Sequence, residues 1–339
     1  MANRLRQLLS TLTLGLAALC AGTAQAGPYS NLFVFGDSLS DTGNLSIATG
    51  GAQPGNAQPY FNGRFSDGPV WVEHLAAGLG LASAAAPFQV GGNNYAFAGA
   101  RTGTSNNPPG VLAQVAGIWA PSLSGGPADP NALYVVMGGG NDMRDARSLF
   151  TGNSAADDLG RQAAAQAAAN NLFLSLGALA ANGAKHVLLS NLPNLGQTPE
   201  AALLGLQFAS SDVSARFSAL VLGLEVLAEA AFGLDIDVLD LAGLADDVRN
   251  DALSNGGAVY GITNITAPCT GFAFSVNFGG TSCNVSAFSD ALHPSARFHA
   301  IIGAAALSLA VPEPASAWLV LLAVAGLALQ QRRRVAAVA

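Results

Sequence analysis

An apolar run that breaks abruptly constrains this chain most. Residues Asn31 to Phe35 are short, apolar and β-prone, and the run stops at Gly36. Asp37 and Ser38 follow at once, with more turn formers behind them as far as Asn44. Such a pattern reads as a buried strand that hands the chain to a tight turn. In an open α/β sheet the carboxyl ends of the strands are where ligands and chemistry collect. A serine there stands at a pocket mouth, close to backbone N–H groups that can face a developing negative charge, although a lone serine after a strand is more often only a turn residue or helix cap.

Similar runs recur between helical stretches. Ala132 to Met137 is strongly apolar and ends at Gly138-Gly-Gly-Asn-Asp142. Strand character also falls near 92–97, 186–191 and 235–240. Helices are expected over Val70–Leu79, Ala155–Ala181, Ala201–Ala231, Leu244–Asn255 and Arg297–Leu309, with a short one around Val111–Trp119. This alternation predicts an α/β protein: a three-layer α/β/α sandwich with a flavodoxin-like parallel sheet of about five strands. With 339 residues, half of them hydrophobic, the chain has enough material for one sizeable domain.

Charge narrows the function classes. Only 10% of residues are charged and the net charge is −7, and the body of the chain lacks the Lys and Arg clusters that nucleic acid requires. The N-terminus carries Arg4 and Arg6, an apolar run from about Leu8 to Ala21, and the small-x-small triplet Ala24-Gln-Ala26. Residues 1–26 therefore read as a secretory signal peptide cut after Ala26, with an uncleaved anchor helix as the alternative. Cys20 leaves with that segment. Cys269 and Cys283 remain, and an even pair in an exported protein predicts a disulfide closing a short loop, against two free thiols. No histidines lie near enough in sequence to suggest a metal site, and no cofactor is expected. The glycines at 138–140 lack the Lys-Ser/Thr of a phosphate loop. Asp235, Asp237 and Asp240 alternate with apolar residues and read as a solvated face or cap. His74, His186 and His299 read as structural or helix-surface residues.

The chemistry sits elsewhere. Asp290 precedes His293 by three residues, so on a turn the carboxylate can hold one ring nitrogen while the other faces a nucleophile. Asn141, at a strand end, offers a neutral amide donor for an oxyanion. Gly99 ends a short strand where only a small residue lets the backbone approach a substrate oxygen, with a plain turn glycine as the alternative.

These stretches, in this order, resemble the GDSL esterases and lipases of the SGNH hydrolase superfamily. The resemblance covers roughly residues 30–300. It is carried by Phe35-Gly-Asp-Ser-Leu-Ser-Asp-Thr-Gly-Asn44, the block ending at Gly99, Gly139-Gly-Asn-Asp142 and Asp290-Ala-Leu-His-Pro294. Where the family commonly has two glycines, this chain has Ala98 before Gly99. The resemblance implies a serine hydrolase domain over 27–309. Ser38 would be the nucleophile, His293 the general base and Asp290 its orienting partner. The N–H groups of Ser38 and Gly99 and the Asn141 amide would form the oxyanion hole. The expected substrate is a carboxylic ester, whether lipid, short-chain or acetylated glycan. Phospholipase, acyltransferase or polysaccharide O-deacetylase activity on the same residues is the alternative, and a non-catalytic surface or matrix protein is a further one.

The tail, 310–339, holds Val311-Pro-Glu-Pro314, an apolar run from Ala317 to Leu329, and Arg332-Arg-Arg334. It resembles a PEP-CTERM sorting signal. That resemblance implies a Gram-negative source, transient inner-membrane association, removal by an exosortase-type enzyme, and delivery to the surface or extracellular matrix. The basic end would stay cytoplasmic, and a permanent anchor is the alternative.

Overall fold

Four apolar runs form one parallel sheet in a computed structural model that describes residues 28–55, 60–269, 272–273, 276–277 and 281–311. The expected signal peptide and all but the first two residues of the expected sorting tail lie outside the described residues. The strands are β1 (Leu32–Phe35), β2 (Leu133–Met137), β3 (His186–Ser190) and β4 (Asp235–Leu239), hydrogen-bonded in the order β1-β2-β3-β4. In register, Phe35 lies beside Val136, Val136 beside Leu189, and Leu189 beside Val238.

Six helices carry the two outer layers: α1 (Trp71–Gly78), α2 (Gly140–Leu149), α3 (Ala155–Ala181), α4 (Gln207–Phe232), α5 (Leu241–Asn255) and α6 (Ala296–Ala310). On one face, Tyr134, Val136, Val187, Leu189 and Ile236 pack with Met143 of α2, Leu172 and Leu176 of α3, and Phe217 of α4. On the other, Leu133, Val135, Met137 and Leu188 pack with Trp71 and Leu75 of α1, Val248 of α5, and Ile302 of α6. Covered on both faces, β2 is buried at every position, which is why it reads as an unbroken apolar run. Strand β4 alternates instead, exposing Asp235 and Asp237 while Ile236 and Leu239 are buried. Asp235 takes His186 Nδ1 at 2.9 Å across the start of β3, so that histidine is structural, as its place in the sequence implies.

The α/β prediction holds, with four regular strands rather than five. The segment 92–97 does run beside β1. Asn93 O accepts from Val34 N–H (3.0 Å), Tyr95 N–H donates to Val34 O (2.7 Å), and Phe97 N–H donates to Gly36 O (3.1 Å). It stays irregular because the buried Asn94 caps Ala96 N–H with its own Oδ1 and donates to Ser40 O and Thr42 Oγ1. Other expectations need adjustment. The helix expected over 201–231 is two, Pro199–Leu204 and α4, broken at Gly205 and Leu206. His299 is fully buried rather than on a helix surface, its Nδ1 accepting the Trp71 N–H. Helix α2 was not anticipated.

A second, smaller sheet pairs β5 (Asn264–Pro268) with β6 (Ser286–Phe288). The Cys269–Cys283 disulfide joins the two arms of this region. The chain from 289 to 295 folds back on β6. Ser289 N–H donates to His293 O (2.8 Å) and Ser295 N–H to Ala287 O (2.9 Å).

Candidate active site

The turn that carries Ser38 is built by close backbone approach. A Cβ at Gly36 would lie 2.9 Å from the Met137 carbonyl oxygen, so the ends of β1 and β2 can converge only with glycine there. Gln114 clamps the same residue, with Oε1 accepting Gly36 N–H and Nε2 donating to Gly36 O, both at 2.8 Å. It begins the π-helical stretch Gln114–Trp119, a deviation that often marks functional positions. Asp37 O then accepts the N–H groups of Ser40 and Asp41, each at 3.0 Å, closing the turn that presents Ser38.

The rest of the long motif is a fixture. Asp41 Oδ1 accepts from Gly43 and Asn44 N–H groups, and its Oδ2 accepts from Leu45 and Ala98 N–H groups. Asn44 Nδ2 donates to Asn94 O and Ala96 O. Burial pushes the Asp41 carboxyl up, while these four backbone donors oppose the shift. The residues after the serine thus fix the loop that ends at Gly99.

Ser38, His293 and Asp290 form one hydrogen-bonded line. His293 Nε2 lies 2.9 Å from Ser38 Oγ, and Nδ1 lies 2.7 Å from Asp290 Oδ2. All three are buried. Asp290 Oδ1 accepts the N–H groups of Leu292 (2.8 Å) and His293 (2.6 Å), and Oδ2 also accepts the Tyr60 hydroxyl at 2.8 Å. Burial pushes the Asp290 carboxyl up, but the His293 imidazole and the two backbone donors outweigh it and hold it at about 2. A carboxylate so held accepts a hydrogen bond from Nδ1–H, which leaves Nε2 free to accept from the serine. Phe65 lies beside the imidazole, ring centroids 5.1 Å apart.

Asn141 stands in the first turn of α2 and shares a pocket wall with Ser38. Its Nδ2 donates one hydrogen to Ala100 O (2.9 Å), and Arg144 Nη1 donates to its Oδ1 (3.3 Å). The amide orientation is therefore fixed with a second N–H to spare. Gly99 has φ +81°, a left-handed conformation suited to glycine. It is bracketed by bonds from Ala98 N–H to Asp41 and from Asn141 to Ala100. Its neighbours Ala98 and Ala100 thus tie this loop to the turn after Ser38 and to Asn141.

Arg144 is held in turn by Glu200, which also pairs with the buried Arg147. Burial raises the Glu200 carboxyl, but the two guanidiniums outweigh that and leave it below its ordinary value. Glu200 N–H donates to Ala291 O (2.7 Å), so this cluster also ties Asn141 and Arg144 to the turn that carries His293. Asp37, buried beside Ser38, is pushed up to about 6 by burial. From Ser38 and Asn141 the pocket runs past Leu192, Leu195, Val248, Ile265 and Phe298, a mostly apolar wall.

Ser38, His293 and Asp290 are hydrogen-bonded in line, and Asn141 lines the same pocket as Ser38. Tyr60, Gln114, Arg144 and Glu200 escaped the sequence reading. Tyr60 and Gln114 lie in segments rich in Gly and Pro, and only the fold brings the four to the site. Among the described residues the one cluster of metal-ligating types is Asp67 with the two bonded cysteines, and Asp67 Oδ1 accepts Ala296 N–H instead.

The chain is similar to known proteins along most of its length. It is 32% identical over 313 residues to a phosphatidylcholine-sterol acyltransferase of Aeromonas hydrophila, covering 90% of this chain and 84% of that one. It is 30% identical over 234 residues to esterase EstA of Pseudomonas aeruginosa, covering 59% of this chain and 34% of that longer protein. Among solved structures, the carbohydrate acetylesterase Est24 from Sinorhizobium meliloti aligns at 16% identity with a TM-score of 0.42, over 83% of this chain and 96% of that one. Residues 32–306 match the model of the GDSL-like lipase/acylhydrolase family, and the chain belongs to that family.

Proposed function

We propose that this protein is an exported serine esterase that cleaves carboxylic esters through an acyl-enzyme. The observation that carries this reading is the unbroken line Ser38–His293–Asp290, at 2.9 and 2.7 Å. In it, Ser38 Oγ attacks the ester carbonyl while His293 Nε2 takes its proton. Asp290 stabilises the imidazolium. The oxyanion is met by the Ser38 and Gly99 N–H groups and the spare Asn141 amide hydrogen. His293 then returns the proton to the leaving alcohol, and water, activated by the same imidazole, releases the acid.

A second reading is transfer of the acyl group to another alcohol. It is supported by the similarity to an acyltransferase over 84% of that relative, and the apolar pocket suits an acyl chain. The two readings share every step up to the acyl-enzyme. Export rests on the sequence features of residues 1–26 and 310–339. No helix among the described residues is long and apolar enough to cross a membrane.

Hydrolysis of short- and long-chain p-nitrophenyl esters by the protein and its Ser38→Ala variant tests the reading. Activity abolished in the variant is the expected result. Equal activity in both folded proteins rules out the proposed nucleophile. Adding a sterol or long-chain alcohol, and analysing the products, separates transfer from hydrolysis.

A further inference from the structure

The pocket that holds Ser38 also contains a cation that pairs with no side chain among the described residues. Arg249 of α5 lines its wall together with Ala245, one turn earlier on the same helix face, and the adjacent Val248. Arg249 is half-buried. Seven other arginines lie among the described residues, and each has a partner. Arg64 pairs with Glu73, Arg101 with Asp145, Arg144 and Arg147 with Glu200, and Arg161 and Arg216 with Asp212. Arg297 donates to the Tyr260 carbonyl. Arg249 has neither a hydrogen bond nor an ion pair among the described residues. Its helix neighbour Asp246 accepts instead from Gln197, another residue of the pocket wall.

A partly desolvated guanidinium without an anion costs free energy, and that cost is recovered when an anion arrives. The planar donor fork suits a carboxylate or a phosphate. In a chain of net charge −7, the whole-molecule field does not draw anions in, so a local device is needed. We propose that Arg249 forms an anion subsite in this pocket, pairing with a carboxylate or phosphate that the ester carries away from its scissile bond. The apolar wall between Ser38 and this subsite holds the intervening hydrocarbon. This inference rests on the ester-hydrolase reading and adds a class of substrate to it.

Two matched ester pairs test it. Mono-p-nitrophenyl adipate and p-nitrophenyl hexanoate differ by a terminal carboxylate on the acyl side. A monoacylglycerol phosphate and the monoacylglycerol of the same chain differ by a phosphate on the alcohol side. In at least one pair, Arg249→Gln lowers the anionic-to-neutral ratio of kcat/KM about tenfold or more, chiefly through KM. Arg249→Lys restores part of that ratio, and added salt narrows it in the unaltered protein. The pair that responds identifies the side of the ester that bears the anion. An unchanged ratio in both pairs overturns the subsite, and so does equal loss on both members, which marks a residue that only shapes the wall.

Failure of the unaltered protein to hydrolyse any of the four would count against the ester-hydrolase reading. The subsite is then decided by calorimetric binding of the same four compounds to the Ser38→Ala protein, with and without Arg249→Gln. Loss of affinity confined to the anionic members supports it, and equal affinity overturns it.

Discussion

Ser38 and His293 meet at 2.9 Å, yet they are held by different parts of the molecule. Ser38 follows a central-sheet strand directly, and its turn is clamped by Gln114 and closed by backbone bonds to the Asp37 carbonyl. Its support is the packed core. His293 sits on a turn outside that sheet, pinned to β6 and stabilised through Asp290, with the disulfide and the β5–β6 pair beneath. The proposed catalytic line, assembled from a rigid strand end and a separately stapled turn, depends on the staple for alignment. Substitutions on the two sides should therefore fail in different ways.

The largest loss is expected at the contact itself. His293→Ala removes the proton acceptor and should lower turnover about ten-thousandfold without unfolding the protein, as read by steady-state kinetics beside a melting curve. A residual rate within tenfold of the unaltered protein would break the assignment. On the sheet side, Asn141→Ala removes one oxyanion donor and should lower kcat about a hundredfold or more while KM changes little. A rise in KM with kcat intact would place Asn141 in substrate binding instead.

The staple comes next. Its cysteines are 14 residues apart, and losing such a cross-link costs roughly 3 kcal/mol if the unfolded chain gains the full loop entropy. The double variant Cys269→Ser with Cys283→Ser should lower both Tm and kcat. Val135→Ala, a truncation in the buried middle of β2, costs about 1–3 kcal/mol and should lower Tm with kcat largely kept below the melting range. Equal kcat losses at matched stability would erase the contrast between the two supports.

The same contrast explains what could be read from the sequence. Strand ends announce themselves, because an apolar run stopping at Gly36 or at Gly138 is a local pattern. Asp290-x-x-His293 was legible for the same reason, since both partners lie within one turn. Segment 92–97 was misread as a regular strand because the diversion comes from Asn94 bonding to Ser40 and Thr42, more than fifty residues away in sequence. Tyr60, 230 residues from Asp290, carries no mark in its own neighbourhood that it completes the site. Glu200 likewise reads as a helix-start acid, and only folding sets it between Arg144 and Arg147.

Tyr60 supplies the smallest and most diagnostic effect. Its hydroxyl donates to the same oxygen of Asp290 that holds His293 Nδ1. Because Asp290 is held at about 2, below the ordinary carboxylate value, its contribution to stability is present above about pH 4 and lost as pH falls toward 2. Tyr60→Phe removes one donor to the anion. The Asp290 value should rise toward the ordinary one, lowering stability by roughly 1–2 kcal/mol at neutral pH and moving acid unfolding to higher pH. Asp37 acts in the opposite sense. Pushed up to about 6, it makes the fold less stable as pH rises between about 4 and 6, the window in which the unfolded chain has lost this proton and the folded one has not. Below pH 4 Asp37 is protonated in the fold whether or not Tyr60 is present, so the variant and the unaltered protein differ there only through the histidine side. Chemical denaturation of both proteins from pH 2 to pH 7 reads the difference, and parallel curves throughout would mean that the tyrosine only packs against Phe65.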